Sequence, residues 1–242
     1  MYEKFKDFQI AILGFFLFLS TVAGAGIITE NLSRKGISVT GTACEVVKSD
    51  SASWRIEISA RAKSNAQAYR AIHSQLPVVE QYLLSKEIKK ENIDISPTSS
   101  YPVYKLDPKT GYSTNDISYY NYTQSIKITS DNVELIKSLS TEVQELVNKG
   151  IELSSFPPEY QYSKLAELKI KLLEEATIDS KKRAQAMLKA SHNRVGKISS
   201  IKMGVFQITS PDSNSVSDMG INDTSTIEKK VTAVANVFYQ IK

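Results

Sequence analysis

The sequence predicts an α+β protein: antiparallel β-sheet packed with α-helices, preceded by one N-terminal transmembrane or signal helix. Three observations predict it. Period-two alternation of apolar residues recurs along the chain, apolar stripes at helical spacing lie between the alternating runs, and an almost uncharged apolar run precedes them all. Strands separated by helices, with hairpins among them, belong to the α+β class. The 242 residues are 41% hydrophobic and 23% charged. Those are ordinary values for a folded domain and exclude a disordered tail or a multi-span membrane protein.

The apolar run extends from Ile10 to Ile28, and Ile10, Phe16, Leu19 and Ile28 mark it. A run of about 18 residues or more is long enough to span a bilayer. Lys4 and Lys6 ahead of it, and Ala23-Gly24-Ala25 near its end, also fit a secretory signal cleaved after Ala25. The run continues through Gly26, Ile27 and Ile28, which favours an uncleaved anchor. A buried helix of a cytosolic protein would show a polar face, and this run shows none. The flanking charges, Lys4 and Lys6 against Arg34 and Lys35, give the positive-inside rule no direction. Residues 1–30 are therefore read as signal peptide or membrane anchor, and residues 36–242 as the α+β domain, whole or in two subdomains.

The elements follow in order. Ile37, Val39, Gly41 and Ala43 alternate with polar neighbours, as do Trp54, Ile56, Ile58, Ala60 and Ala62. Each run predicts a strand with one buried face, and Lys48-Ser49-Asp50-Ser51 between them predicts a hairpin turn. Ala68, Ile72, Leu76, Val79 and Leu83 form a helical stripe, which Pro77 is expected to kink or split. Ile93-Asp94-Ile95 and Tyr101-Pro102-Val103-Tyr104 are extended, Asp107 to Gly111 is a turn, and a strand returns through Tyr122, Ser125, Ile126 and Ile128. Asp131 is the expected cap of the next helix, with Glu134 three residues on. Its stripe is Leu135, Leu139, Val143 and Leu146, and Gly150 ends it. Ile151 to Phe156 is extended. A long helix opens at Leu165 and reaches Ala190. Ile198 to Ile208 reads as one strand, Pro211 to Asp223 as a loop, and Val231 to Ile241 as a last alternating strand.

At this point the chain resembles the SIMPL-domain family. The opening strand Ile37 to Ala43 is similar to that family's V-x-G-x-A start. Asp94-Ile95 and Tyr101-Pro102-Val103-Tyr104 are similar to its D-I-x-T and Y-x-P-x-Y segment. Gly111 and Tyr122 fall at its Gly-containing turn and strand-opening Tyr, and Asn148 to Ile151 with Phe156 resemble the helix end before its F strand. Ala176 with Lys182-Arg183-Ala184, then Val195-Gly196-Lys197-Ile198, resemble its A-x-x-x-A-R-x-K-A helix and exit. Pro77, Ser180 and the reduced Asp50 segment depart from the pattern. The resemblance implies exported bacterial envelope proteins, some associated with oxidative-stress protection or with immunogenicity in pathogens, and some forming ring-like or channel-like homo-oligomers. It implies no catalytic residues.

The residues themselves offer few routes to chemistry. The single cysteine, Cys44, excludes an intrachain disulfide, and its strand context predicts a buried thiol. His73 and His192 lie far apart in sequence and do not make a zinc set. His192 follows the long helix, where it complements the helix dipole. There is no G-x-S-x-G, P-loop or G-x-G-x-x-G. The net charge of +4 is too small for a nucleic-acid footprint. No cofactor or metal is expected. The lysines and arginines from Lys169 to Arg183 could meet anionic lipid or polymer, but interleaved Glu174, Glu175 and Asp179 favour a solvated helix.

The tyrosines remain. Tyr101, Tyr104, Tyr112, Tyr119, Tyr120 and Tyr122 surround the turn at Gly111. Tyr buries area while keeping a wet hydroxyl, so the hairpin is the candidate interface. The expectation is a non-enzymatic envelope protein in the periplasm or on the outer face of the cytoplasmic membrane, acting through self-association and partner binding. The alternative is a ligand- or glycan-binding module using the same hairpin.

Overall fold

The computed structural model describes residues 36–242. The expected N-terminal helix, with Ile10, Phe16, Leu19 and Ile28, lies outside the described residues. Among the described residues, no helix is long and apolar enough to cross a membrane. The described chain is a mixed α+β fold with antiparallel-rich sheets.

The element order is β1 (Gly36–Lys48), β2 (Ser51–Ala62), α1 (Asn65–Ser85), a 3-10 turn (Lys90–Asn92), β3 (Ile93–Ile95), β4 (Ser99–Leu106) and β5 (Ser113–Ser130). There follow α2 (Val133–Glu142), α3 (Glu145–Asn148), β6 (Glu152–Ser155), β7 (Glu159–Gln161), α4 (Leu165–Ala190), β8 (Val195–Met203), β9 (Gln207–Thr209), β10 (Ile221–Asn222) and β11 (Glu228–Ile241). The chain divides into two compact units. One contains residues 36–43 with Leu172–Gly204 and Ala233–Lys242; the other contains Cys44–Lys171 and Val205–Thr232.

The second unit is built on a six-stranded sheet of order β3-β5-β2-β6, with β4 also on β5 and β7 also on β2. Strands β2 and β5 run antiparallel from Ala52 opposite Ser130 to Ala62 opposite Tyr120. Alternation decides which face is dry. Trp54, Ile56, Ile58 and Ala60 join Ile126 and Ile128 beneath α1 and α2, while Arg55, Glu57, Ser59 and Arg61 occupy the other face. Fully burying a side chain of this kind contributes about 1.5–3 kcal/mol. Helix α1 starts at Ser64, whose hydroxyl accepts from the Gln67 amide at 3.3 Å. It presses Ile72, Val79 and Leu83 into the same core.

Several expectations are corrected here. Helix α1 runs unbroken through Pro77, so the expected split does not occur. Its buried residues flank the proline on both sides, and the proline itself is exposed, so packing outweighs the local penalty. The cap of α2 is Asn132, not Asp131; its side chain accepts from the Leu135 amide at 3.1 Å. Glu134 pairs with Lys48 at 2.9 Å instead of closing a capping box. Strands β1 and β2 form no hairpin, because β1 pairs with β11 while β2 pairs with β5, β6 and β7. The Ser49-Asp50 turn carries the chain between sheets, and the Asp50 carboxylate accepts from the Ser163 amide at 2.8 Å and hydroxyl at 2.6 Å. The strand expected over Ile198 to Ile208 is two strands, β8 and β9. The loop after β9 contains β10, which pairs parallel with β9.

The first unit is organised by α4. Leu172, Ala176, Ser180, Ala184 and Leu188 are buried, every fourth residue along one stripe. Gly41 of β1 lies directly on that stripe: a Cβ there would stand 2.0 Å from the Ala176 carbonyl oxygen. The Ser180 hydroxyl shares a 2.8 Å hydrogen bond with the Tyr239 hydroxyl of β11, so the only polar residue of the stripe is satisfied. Strand β11 runs antiparallel to β8, with Val237 opposite Ile201 and Ile241 opposite Val195.

Candidate functional site

The β4–β5 turn is held by the side chain at its first position. Asp107 Oδ1 accepts from the Lys109 amide at 2.7 Å and the Thr110 amide at 3.2 Å. Gly111, at φ +72°, supplies the left-handed residue that lets Tyr112 turn back. The Asp107 amide then donates to the Tyr112 carbonyl at 2.9 Å, and the Thr114 hydroxyl to the Lys105 carbonyl at 3.0 Å.

Strand β5 outlasts its neighbour. Pairing with β2 ends at Ala62 opposite Tyr120, whereas pairing with β4 continues to Leu106 opposite Ser113. Residues 113–119 therefore form a two-stranded ribbon with the end of β4. Such a ribbon alone is marginally stable in water. This one exposes Tyr104 (44%), Leu106 (64%), Tyr112 (78%) and Ile117 (39%). Tyr104 and Ile117 lie opposite each other on the two strands, so at least these two share a face.

The six tyrosines do not form one platform. Directly paired residues share a sheet face. Tyr120 lies opposite Ala62 and Pro102, and Tyr122 opposite Ala60 and Ser100, so both are on the helix-covered side. Tyr122 donates its hydroxyl to Asn65 Oδ1 at the start of α1, and its ring meets Tyr69 edge-on at 6.0 Å. It ties strand to helix. Tyr101 and Tyr119 take the opposite face, where the Asn121 amide group donates to the Tyr101 hydroxyl at 2.9 Å. Arg61 stands 5.9 Å from the Tyr119 ring and 3.6 Å from Glu152. Asn121 is buried, and its Oδ1 has no hydrogen-bond partner among the described residues. Tyr104 and Tyr112 belong to the ribbon and its turn.

His73 packs against Tyr69, with ring centroids 4.2 Å apart, and His192 lies beyond α4 in a left-handed conformation at φ +59°. Among the described residues, no group of three or more His, Cys, Asp or Glu side chains could hold a metal ion. Cys44 is exposed, which corrects the expected buried thiol. The alternation of β1 turns it away from the side that buries Val39 and Gly41.

Lys229 is a buried cation that composition does not reveal. Its Nζ donates to the Asp223 carbonyl at 2.6 Å and the Thr226 carbonyl at 2.8 Å, closing the loop before β11. Burial holds its pKa below the ordinary lysine value, against the opposing pull of the Asp223 charge. The sequence does carry a signal for it: Lys229 is in phase with the buried Val231, Ala233 and Ala235. The neighbouring cavity of about 170 Å³ is lined by Tyr160, Ile208, Asp223 and Lys229 among others.

The SIMPL family model, described as a protein of unknown function (DUF541), matches residues 37–239. No curated protein matches the chain.

Proposed function

The chain belongs to the SIMPL family, and from that premise we propose that it is a non-enzymatic cell-envelope protein that acts by self-association and partner binding through the β4–β5 ribbon. The single observation that carries this reading is the ribbon itself. It extends past β2 and exposes Tyr104, Leu106, Tyr112 and Ile117. A two-stranded element with an apolar surface gains most from a partner that covers it. The apolar run from Ile10 to Ile28 supports an extracytoplasmic position for the domain, held by an anchor or released after Ala25.

Light scattering of the full chain in detergent tests this. The expected result is an assembly that falls apart when residues 104–117 are replaced by a two-residue turn, while the melting temperature is retained. A monomer at every concentration contradicts the proposal.

A second reading is favoured by one cluster. On the outer face Asn121 bonds Tyr101 and pairs with Arg61, which stands over the Tyr119 ring and beside Glu152, a mixture of ring faces and polar groups suited to a sugar. If this face binds envelope glycan, Tyr101→Ala with Tyr119→Ala abolishes binding to a purified envelope polymer without moving the melting temperature. No binding by the parent protein removes the reading.

A further inference from the structure

We propose that the end of the first unit where strand β1 begins is a membrane-surface contact that binds anionic lipid headgroups through Lys189, His192, Arg194, Lys197 and Lys242. Four element ends meet there. Gly36 opens β1 against β11: a Cβ on it would fall 2.4 Å from the Phe238 ring and 2.6 Å from the Tyr239 carbonyl oxygen. The last residues of β11 meet the first of β8, with Ile241 opposite Val195 and Arg194 and Lys242 exchanging both backbone hydrogen bonds at 2.8 Å. The C-terminal end of α4 closes the group: the Asn193 amide donates to the Leu188 carbonyl at 2.9 Å and the His192 amide to the Lys189 carbonyl at 3.2 Å.

The chain that runs through this end carries side-chain charge of one sign. From Ser180 to Pro211 the chain carries lysines and arginines and no aspartate or glutamate. Lys189, His192 and Arg194 line an open groove of about 490 Å³ with Gln185, Asn193 and Val195. All five proposed contacts are exposed, and among the described residues none has a carboxylate partner in an ion pair. Cations near a helix C-terminus also complement its dipole, but Lys197 lies on β8 and Lys242 just after β11, and they gain nothing from that. Exposed Met187 (55%) and Ile198 (46%) are near neighbours in sequence of Lys189 and Lys197, the mixture found on surfaces that lie against headgroups.

The length of chain ahead of the described residues selects the occupant. Seven residues, 29–35, separate Ile28 from Gly36 and include Arg34 and Lys35. An extended chain covers at most about 3.6 Å per residue, so Gly36 stays within about 29 Å of Ile28. With the apolar run in the bilayer, this tether keeps the basic end within reach of the membrane surface. Clustered cations beside an anchor attract anionic headgroups over roughly one Debye length. This inference rests on the anchor reading above.

The test uses the full chain in nanodiscs of phosphatidylcholine alone, or with about a third phosphatidylglycerol, and follows amide exchange. The expected result is exchange over residues 189–197 slowed about tenfold by the anionic lipid, with the slowing erased by high salt. The triple variant Lys189→Glu, Arg194→Glu, Lys197→Glu loses the difference, while unchanged exchange at the buried Leu172 and Val237 reports an intact first unit. Anchored protein with equal exchange in both lipids overturns the headgroup contact alone. Protein that never enters the discs overturns the anchor reading beneath it. Equal slowing by inorganic phosphate in uncharged discs overturns the lipid as occupant.

Discussion

A methyl group at Gly41 would stand 2.0 Å from the Ala176 carbonyl oxygen and 2.4 Å from the Ser180 amide nitrogen, both helix backbone that cannot rotate away. Gly41→Ala is therefore expected to cost about 3 kcal/mol, read as a lower urea midpoint. A loss below about 1 kcal/mol would mean that strand and helix separate easily. Asp50 makes a different kind of prediction. Burial pushes its carboxyl up, but the Ser163 hydroxyl and amide, helped by Lys164, hold it below the ordinary aspartate value overall. A depressed folded-state pKa stabilises above the unfolded value of about 3.9 and is lost as pH falls through the folded value. Asp50→Asn should thus weaken the protein at neutral pH and flatten the acid limb of its stability curve; parallel curves for variant and parent would refute the assignment. Exposed Cys44 is expected to react with a thiol reagent in the native protein as fast as in urea. Labelling that waits for unfolding would contradict that exposure.

At the scale of elements, packing overrides local preference in α1. A proline inside a helix removes a backbone hydrogen bond and crowds the preceding turn. Yet Ile72, Val79 and Leu83 hold both halves of α1 on the sheet. Pro77→Ala restores the missing donor at an exposed position and should raise stability by about 1–2 kcal/mol in urea unfolding. Unchanged or lower stability would show that the helix has adapted fully to the proline. The ribbon is the converse case, an element whose own turn chemistry is complete while its sides lack cover. Asp107 and Gly111 supply everything the turn requires. Among the described residues, the strands beyond Tyr120 pair only with each other.

For the whole molecule, the predicted export of residues after about Glu30 has a direct readout. Mass spectrometry of the native protein distinguishes an uncleaved chain from one that begins after Ala25; recovery of the full-length protein in the soluble cytosolic fraction would sink both forms of the reading. Much of the fold is legible from one sequence. Period two placed Trp54, Ile56 and Ile58 inside, the helical spacing of Leu165, Leu168, Leu172 and Ala176 placed α4, and the Asp107 to Gly111 turn placed the hairpin. These features report local geometry, which residue spacing encodes directly. Strand partnership is not encoded that way. Alternation says which face of β1 is buried but not that β11, nearly two hundred residues later, is its neighbour rather than β2. For the same reason the tyrosines read as one cluster in sequence, and only the pairing of β5 with β2 and β4 divided them between two faces. The pairing of Arg194 with Lys242 was equally hidden, because it forms only when the ends of β8 and β11 meet. Local periodicity thus determined the elements and their dry faces; long-range hydrogen bonding, which no short window of sequence contains, decided which of them share a surface.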